Sequence, residues 1–507
     1  MTQPSPTVRL NDADNVVVAR KAIAADIEIT GEKVRTTTAI PAGHKIATKP
    51  IARGEPVRRY GQIIGFASSD IAPGDHVHVQ NVEMQDFERD YAVGQDARPL
   101  AMVPEADRDT FRGFVRPSGK VGTRNYIGIL SSVNCSASVC KFIQQTFPQE
   151  VLADFPGVDG VVALTHSTGC GMADRGRKVS PPCSARSGHA RHPNFAGILM
   201  IGLGCEVNQI DFLLEAYSIK RVASLFQHMT MRGTGARRKT IERAVGMRIR
   251  EMLPHAAEAK RETVHASELS VALQCGGSDA YSGITANPAL GYATDLLAAQ
   301  GGTGGLAETP EIYGAEHLLT RRASKPEVAK LIERIKCRRH RLQRRRDEQQ
   351  SVARQQGGRS HHHSRKIARC GGQGRHHQPQ PGAQICRACH RTRLPLHGQP
   401  PATIPSVTGQ VASGANIVAF TTGRGPLLAT SPHRRSSFAT NTMMYERMEE
   451  DMDINCGDIL SGDATIESKG REILDTLLKV ASGEKSKSEA LGIGDHEFIP
   501  WQIGAVM

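Results

Sequence analysis

The stretch VGTRNYIGILSSVNCS, residues 121–136, decides the fold class of this chain. An apolar run over residues 126–130 leads directly into small and polar residues and ends at Asn134 and Cys135. A continuous apolar run of this kind is typical of a strand that is buried on both faces in a parallel sheet. Ligands of open parallel sheets bind outside the carboxyl ends of the strands, so we expect the polar residues after this run to face a functional site.

Four further stretches repeat the pattern of an apolar run that ends in polar or reactive residues. Their ends read THSTGC (165–170), GLGCE (202–206), QCGGSD (274–279) and TTGRG (421–425). Segments with helical spacing lie between some of these runs, and alternation of strands with helices is typical of α/β proteins. The sequence therefore predicts an α/β region with mostly parallel strands, which we divide into residues 113–262 and 263–507.

Two helices of this region have recognisable ends. Asn287 followed by Pro288 predicts a helix start, and Gly301 predicts the end of the same helix. A second helix, which ends before Gly483, is predicted by apolar residues at helical spacing. These residues are Ile473, Leu474, Leu477 and Leu478.

The N-terminal part of the chain has a different pattern. Residues 12–85 contain short β-branched or alternating runs separated by turns, which predicts a small β domain. Residues 1–11 form a tail ahead of it, and the charged residues 86–112 form a linker behind it. The domain contains His44, His76 and His78, and the last two are two positions apart, so on a strand they face the same side. Two such imidazoles can bind a metal or transfer protons, although a surface pair without a role has the same pattern.

Five cysteines, at positions 135, 170, 205, 275 and 456, each lie beside Gly, Ser or Asn. Small buried residues at tight turns explain any single one of them. Their repetition at the ends of apolar runs favours the alternative that the thiols line one polar pocket. Their spacing matches no CxxC zinc pattern.

The net charge of +13 is confined to one segment. Residues 337–400 hold 15 basic and 2 acidic residues, so the rest of the chain is balanced. Residues 314–419 also lack Phe, Trp and Tyr. Apolar groups are too sparse in 337–404 to offset the entropy of ordering, and we predict that this segment is disordered. Because aromatic or structured elements usually accompany a nucleic-acid-binding segment, we expect no nucleic-acid partner.

The chain shows no sign of a membrane or export segment. Its apolar runs fall short of the about 18 residues of a membrane-spanning helix, and the N-terminus lacks the apolar core of a secretion signal. We therefore expect a cytoplasmic protein that does not contact the membrane. The sequence from Cys386 to His390 fits the c-type haem attachment pattern, but the expected compartment argues against haem.

Several long motifs resemble the altronate/galactarate dehydratase family. They include VGTRNYIGILSSVNCS, HSTGCGMAD, HPNFAGILMIGLGCEVNQI, ALQCGGSDAYSGITANPALG and EDMDINCGDIL, and the resemblance covers most of 12–336 and 405–507. The EDMDINCGDIL stretch and the ending FIPWQIGAVM are more similar to the altronate branch than to the galactarate branch. The resemblance implies an N-terminal SAF-type β-clip domain followed by a larger α/β catalytic region. It also implies a divalent metal, usually Fe(2+), and conversion of altronate into 2-dehydro-3-deoxy-gluconate and water.

The resemblance supports a set of candidate site residues, whose roles follow from the chemistry of dehydration. A base must remove a poorly acidic proton next to a carboxylate, an acid must help a hydroxyl leave, and a metal stabilises the charge. The catalytic candidates are His44, Lys45 and His166, and the metal-ligand candidates are His44, His76 and His78. The substrate-binding candidates are Arg124, Asn125, Thr168, Gln274, Ser278 and Asp279, with Arg124 or Lys45 suited to the substrate carboxylate.

Three alternatives stay open. The first is that the substrate is galactarate or another sugar acid of the same family instead of altronate. The second is that the cysteines hold an iron–sulfur cluster, as in other dehydratases. The third is that the chain is an inactive homologue with a basic segment that binds nucleic acid. A homodimer is compatible with all three.

Three windows, 175–190, 337–404 and 426–437, depart from the family pattern. Compared with the family pattern, all three windows lack aromatic residues and are enriched in Arg, Ser, Pro, His or Gln. This composition is typical of GC-rich coding DNA that is translated out of frame. We hypothesise paired frameshifts at these windows. Gln80 is a further departure, because a third histidine is expected in the run after His76 and His78.

Overall fold

The computed structural model describes most of the chain outside the three departing windows. The described residues are 5–85, 92–165, 167, 169–171, 188–207, 209–216, 226–306, 316–323, 403–425, 434–492 and 498–499. The segment predicted to be disordered, 337–404, therefore lies outside the described residues except for its last two positions. Most of 175–190 and 426–437 also lies outside them.

The N-terminal domain, residues 5–85, is built from short antiparallel strands, as the sequence predicts. Four strands form one sheet, three form a second, and two form a hairpin. The strands are Thr7–Val8, Val16–Ala19, Glu28–Ile29, Val34–Arg35, Lys45–Ala47, Pro56–Arg59, Gln62–Ala67, His76–Val77 and Val82–Glu83. Val16–Ala19 is buried along its whole length, because Val16 packs into one apolar cluster while Val17 and Ala19 pack into another.

The quoted stretch forms the centre of a parallel sheet, which we call the first parallel sheet. Its strands lie in the order Gly160–Leu164, Tyr126–Ser131, Phe195–Gly202, Phe226–Thr230. Ile127 and Ile129 face one apolar cluster and Leu130 faces another, so the central strand is buried on both sides. The helices of this region are Asn134–Gln145, Gln149–Leu152, Ile210–Ala216, Met231–Thr234, Arg237–Arg243, the π-helix Ala244–Ile249, and Arg250–Ala257.

The remaining apolar runs form a separate second parallel sheet. Its strands lie in the order Thr303–Gly305, Ser270–Cys275, Ile417–Thr422, Arg434–Ala439, Ile454–Asn455. Its helices are Ala286–Ala299, Glu316–Thr320, Thr403–Ala412, Thr442–Arg447, Asp458–Ser461, Ile466–Ser482 and Lys487–Ala490. Every strand pair in the two sheets is parallel, which confirms the predicted α/β fold class.

Short elements link the two parallel sheets. An antiparallel sheet has the order Val121–Gly122, Thr110–Val115, Glu262–His265. Three 3-10 helices lie at Glu105–Asp107, Ala266–Glu268 and Glu449–Asp451. No helix among the described residues is long and apolar enough to span a membrane.

The two helices predicted from the sequence are both present. The second, Ile466–Ser482, is capped by Thr465, whose hydroxyl accepts the Ser468 N–H, and it ends at Gly483 as predicted. The first begins at Ala286, one residue before the predicted Asn287 cap, and ends at Ala299. Asn287 is the second residue of the helix and not its cap, and its side chain contacts Cys275 and Thr421, as described below.

Candidate active site

Three histidines of the N-terminal domain form one cluster. Strands Lys45–Ala47 and His76–Val77 are antiparallel with Lys45 opposite Val77, so the next step along the register brings His44 to His78. The ring centroid of His44 lies 4.8 Å from that of His76 and 4.9 Å from that of His78. The ring centroids of His76 and His78 are 5.6 Å apart. The structure therefore brings the three predicted metal-ligand candidates together.

The nitrogen atoms of this cluster suit a proton or a cation. His44 Nδ1 and His76 Nε2 are 2.6 Å apart, and two lone pairs at that distance require a proton between them. His44 is buried, whereas His76 and His78 are half-buried. Imidazole nitrogen is a ligand of iron and zinc, so the donor set fits a divalent metal. Among the described residues, however, no three His, Cys, Asp or Glu side chains are already arranged around a single ion.

Amide side chains hold the backbone of the histidine run. The Asn81 amide donates to the His76 carbonyl at 3.0 Å and its oxygen accepts the His78 N–H at 3.0 Å. Gln80 Nε2 also donates to the His76 carbonyl at 3.0 Å. Gln80, which stands where a third histidine is expected, is exposed and lies beside the cluster. Asn81 was not singled out from the sequence, because an Asn in a turn carries no distinct signal.

Gly43 places the cluster against the second parallel sheet. Its φ of +75° is in the left-handed region, and a Cβ on it would lie 2.2 Å from the Cβ of Ala280. Ala280 belongs to the loop 276–284, which follows strand Ser270–Cys275. Tyr60 of the N-terminal domain also donates its hydroxyl to the Gly283 carbonyl at 3.1 Å. His44 therefore lies next to a loop at the carboxyl edge of the second parallel sheet.

Asp279 organises this loop. Its Oδ1 accepts the backbone N–H groups of Tyr281 and Ser282 and the Ser282 hydroxyl at 2.7–3.0 Å. Its Oδ2 accepts the Thr440 hydroxyl at 2.8 Å and the Asn441 amide at 2.9 Å. Five donors within the protein thus occupy the carboxylate, and its contacts are those of a structural group rather than of the predicted substrate ligand.

A polar network joins the ends of two neighbouring strands at the same edge. Ser278 is buried with its hydroxyl 3.2 Å from Cys275 Sγ, which accepts from the Asn287 amide at 3.6 Å. The Thr421 hydroxyl donates to Asn287 Oδ1 at 2.6 Å. Ser278 and the ends of strands Ser270–Cys275 and Ile417–Thr422 therefore meet in one network, while the substrate-binding role of Ser278 stays a prediction. Asn287 was missed because its position before Pro288 reads as a helix cap.

Gln274 supports a helix instead of facing the loop. Its amide donates to the Ser406 hydroxyl at 2.9 Å and to Gln410 Oε1 at 2.6 Å. Both partners lie on helix Thr403–Ala412, and all three side chains are buried. The Gln274 amide is thus buried and already hydrogen-bonded, so it is not exposed as a substrate-binding group would be.

Arg124 and Asn125 lie at the wrong end of their strand. They precede Tyr126–Ser131, so they are at the amino edge of the first parallel sheet, whereas ligands bind at the carboxyl edge. Arg124 is fully buried, and all five of its N–H groups are used within the protein. It forms a two-pronged pair with Glu489 at 2.8 and 2.9 Å and donates to the carbonyls of Thr123, Val480 and Glu484. This corrects its predicted contact with the substrate carboxylate.

Asn125 is also engaged in packing. Its side-chain amide donates to the carbonyls of Gly157 and Ala256, each at 2.8 Å, and its backbone N–H donates to Asp159. Its amide therefore fixes loops at the amino edge and does not reach a substrate site there.

The remaining predicted residues divide into one that is described and two that are not. Lys45 lies in strand Lys45–Ala47 beside His44 and is buried. His166 and Thr168 lie outside the described residues. The assignment of the two to catalysis and to substrate binding stays a prediction.

The five cysteines divide between the two parallel sheets. Cys135, Cys170 and Cys205 follow strands of the first parallel sheet, and all three are exposed. Cys275 is the last residue of strand Ser270–Cys275 of the second sheet, and Cys456 follows strand Ile454–Asn455 of the same sheet. Cys456 is buried in the apolar core, and burial raises the pKa of its thiol.

Three family profiles match successive parts of the chain. "Altronate/galactarate dehydratase SAF domain" matches residues 5–85, and "D-galactarate dehydratase/Altronate hydrolase, second domain" matches residues 113–257. "D-galactarate/Altronate dehydratase, C-terminal" matches residues 266–506. The N-terminal β domain is thus a SAF domain, and the two parallel sheets correspond to the second and C-terminal parts.

Two relatives match nearly the whole chain, and a third matches less than two thirds of it. Altronate dehydratase of Bacillus subtilis is 31% identical over 489 residues, which are 94% of this chain and 95% of the relative. Galactarate dehydratase (L-threo-forming) of Escherichia coli is 32% identical over 502 residues, 95% of this chain and 94% of the relative. Altronate dehydratase of Escherichia coli is 34% identical over 317 residues, 62% of each chain. The chain therefore belongs to the D-galactarate/altronate dehydratase family.

Proposed function

We propose that this chain removes water from altronate and releases 2-dehydro-3-deoxy-gluconate. Membership of a dehydratase family makes it a hydro-lyase acting on a sugar acid, and relatives named altronate dehydratase support this substrate. The observation that carries the proposal is the histidine cluster, which Gly43 seats against the loop 276–284 at a carboxyl strand edge. The three imidazoles therefore lie next to this loop, which supports a role for both in one reaction.

We propose that His44, His76 and His78 hold a divalent metal, Fe(2+), because they are three neighbouring imidazoles in one cluster. When bound, the metal supplies a Lewis acid toward the substrate carboxylate, which makes the C2 proton more acidic. Asn81 and Gln80 orient the backbone that carries two of the three rings.

Proton transfer is assigned to His44, Lys45 and His166. His44 and Lys45 are adjacent and buried beside the loop 276–284, where water is limited and a proton donor or acceptor is effective. His44 belongs to both sets, as ligand or as base, because its ring contacts both other histidines. His166 follows strand Gly160–Leu164, whose carboxyl end lies at the edge of the first parallel sheet where ligands of such sheets bind.

Substrate oxygens are assigned to groups at the carboxyl edges. Ser278 and Thr168 are proposed to bind hydroxyls. Because Arg124 is committed to Glu489, we propose that Arg424 binds the carboxylate instead. Arg424 is exposed at the end of strand Ile417–Thr422, and its side chain lies directly over Gly277. A planar guanidinium can bind a carboxylate by two parallel hydrogen bonds.

The test is an assay of purified protein with Fe(2+) under reducing conditions. Altronate, galactarate and a panel of other hexonates and hexarates are supplied separately, and 2-keto-3-deoxy acids are measured. We expect product from altronate, loss of activity with EDTA, and recovery on adding Fe(2+). Product from galactarate alone would transfer the assignment to that substrate, and full activity in metal-free protein would remove the metal from the proposal.

Two substitutions test the histidine cluster. His44→Ala and His78→Ala are each expected to lower turnover by about 100-fold or more, because general acid–base groups contribute that much. The matched control is His255→Ala, an exposed histidine on helix Arg250–Ala257. Near-normal turnover in both cluster variants would mean that the cluster is a surface feature without a role.

A further inference from the structure

Three exposed cysteines follow three adjacent strands of the first parallel sheet. Cys135 follows the central strand, Tyr126–Ser131, while Cys170 and Cys205 follow the strands on either side of it, Gly160–Leu164 and Phe195–Gly202. The carboxyl ends of parallel strands meet at one edge, and neighbouring strands are about 4.8 Å apart. The three thiols thus belong to one group of loops.

Hydrogen bonds tie these three loops together. Buried Glu206 accepts the Ser132 hydroxyl at 2.5 Å and the Gly204 N–H at 2.6 Å, which joins the loop of Cys205 to that of Cys135. The Val207 N–H donates to the Cys170 carbonyl at 3.0 Å, which joins the other two loops. The three loops that carry the cysteines are therefore held to one another by hydrogen bonds and do not fold as independent turns.

These three loops lie at the edge where open parallel sheets bind ligands. The chain leaves Tyr126–Ser131 to form a strand on one side of it and later returns to form a strand on its other side. A crevice opens at such a reversal of strand order, outside the carboxyl ends of the strands. Cys135 stands at that point, at the start of helix Asn134–Gln145.

Other cysteines in the described chain differ from these three. Cys140 lies in the apolar core, and burial raises the pKa of its thiol to about 12. Cys456 is buried in the same way, and Cys275 contacts Ser278 and Asn287. Exposure and shared location therefore single out Cys135, Cys170 and Cys205.

We infer that Cys135, Cys170 and Cys205 bind a four-iron, four-sulfide cluster. Thiolates are the ligands that hold iron–sulfur clusters. The three thiols come from three separate loops at one sheet edge, and a cluster of four irons and four sulfides is a ligand that thiolates from separate loops can share. Each of the three thiolates would hold one iron of the cluster.

Binding is a ligand exchange without a change of oxidation state. Each cysteine thiol loses its proton and forms one sulfur–iron bond. When a preformed cluster that carries small thiolate ligands is supplied, three of these thiolates leave as thiols with the protons that the cysteines release. Iron and sulfide stay in the cluster throughout.

The test uses the full-length protein and a synthetic four-iron, four-sulfide cluster with 2-mercaptoethanol ligands, mixed without oxygen and then separated by gel filtration. Iron and acid-labile sulfide are measured per chain. We expect about four of each in the wild type. In Cys135→Ser, Cys170→Ser and Cys205→Ser the retained sulfide should fall by about tenfold. Cys275→Ser, in the other sheet, is the matched control and should retain the cluster.

A second measurement works without substitutions. After cluster loading, the native wild-type protein is alkylated with iodoacetamide and analysed by mass spectrometry. The three cysteines should be protected in the loaded protein and modified in the unloaded one. Equal sulfide in the wild type and in all three variants, iron without labile sulfide, or full alkylation after loading would each overturn the inference. These readouts do not depend on dehydratase activity, so they fail or succeed separately from the proposed function.

Discussion

Arg124 illustrates how a residue type can suggest a role that its surroundings do not allow. Its guanidinium is fully buried and paired with Glu489, which is 365 residues away in the sequence. Tyr126 adds a hydrogen bond to the same carboxylate at 3.3 Å. A buried charge is tolerated only while its pair is complete. Arg124 therefore contributes to stability through a partner in the C-terminal region.

We predict that Arg124→Met lowers the free energy of unfolding by about 3–5 kcal/mol, because it leaves the Glu489 carboxylate buried without its cation. Chemical denaturation measures this loss. The double variant with Glu489→Met should lose less than the single variant, since no charge is left behind. Arg238→Met, which breaks an exposed pair with Glu242, should change stability by about 0.5 kcal/mol or less. A loss of catalysis at unchanged stability would instead return Arg124 to the substrate.

His192 is a buried histidine that the fold keeps neutral. Asn194 donates its N–H to His192 Nδ1 at 3.2 Å, so the proton is on Nε2, which donates to the Ala415 carbonyl at 3.0 Å. This bond joins the chain ahead of strand Phe195–Gly202 to the chain ahead of strand Ile417–Thr422. Burial lowers the pKa of His192 from 6.5 to about 3.

We predict that His192 makes the protein sensitive to mild acid. The unfolded chain binds a proton at this ring below pH 6.5, whereas the folded chain does not until pH approaches 3, so stability falls as pH falls through that window. Between pH 7 and 5 the loss is about 2 kcal/mol. Denaturation curves at both pH values should show this loss reduced in His192→Asn and unchanged in the control His255→Gln. Equal pH dependence in the wild type and His192→Asn would contradict the prediction.

Strand Arg434–Ala439 is an interior strand with an exceptional composition. It lies between Ile417–Thr422 and Ile454–Asn455, where continuous apolar residues are typical. Ser436 and Ser437 are instead fully buried, and neither hydroxyl has a hydrogen-bond partner among the described residues. Both serines fall in the window 426–437, where the sequence departs from the family pattern. The departure from the family pattern thus leaves two buried hydroxyls without hydrogen bonds, which lowers the stability of this strand.

We predict that Ser436→Ala and Ser437→Ala each raise the free energy of unfolding by about 1 kcal/mol, because each removes a buried hydroxyl that has lost its water. Urea denaturation is the measurement. Ser132→Ala is the control with the opposite expected sign, since its hydroxyl donates to Glu206. If the serine variants are destabilised like the control, water or another group must satisfy their hydroxyls.

The elements that the sequence predicts well are those set by local patterns. Apolar runs identify the buried parallel strands, and a spacing of two places His76 and His78 on one side. Periodicity does not state which strands pair, so it could not show that the strand ends belong to two sheets. Asn287 reads as a cap because its position before Pro288 is a local signal, whereas its bonds to Cys275 and Thr421 depend on the tertiary fold.

At the scale of the whole molecule, one glycine sets the distance between the SAF domain and the catalytic region. Gly43 and Gly54 both have a left-handed backbone, with φ of +75° and +85°. A Cβ on Gly43 would lie 2.2 Å from Ala280, whereas a Cβ on Gly54 would meet nothing within 4 Å. The two positions share backbone strain and differ only in the domain contact.

We predict that Gly43→Ala lowers kcat/KM by about 100-fold relative to Gly54→Ala, because it pushes the histidine cluster away from the loop 276–284. Both variants should lose similar stability from the strain that alanine adopts at positive φ. Steady-state kinetics and thermal unfolding of the pair provide the comparison. Similar kcat/KM in the two variants would show that catalysis does not depend on this contact.

The pairing of Arg124 with Glu489 also determines when the protein can finish folding during its synthesis. The strands of the first parallel sheet have all been translated once residue 230 has left the ribosome. The carboxylate that pairs with Arg124 lies 365 residues further along the chain and has not yet been made at that stage. Until this carboxylate is made, the guanidinium has only the more distant carboxylate of Asp159, at 3.9 Å, so we expect the early sheet to stay accessible to chaperones and proteases. A chain that ends before Glu489 therefore leaves the first parallel sheet without the main partner of its buried cation.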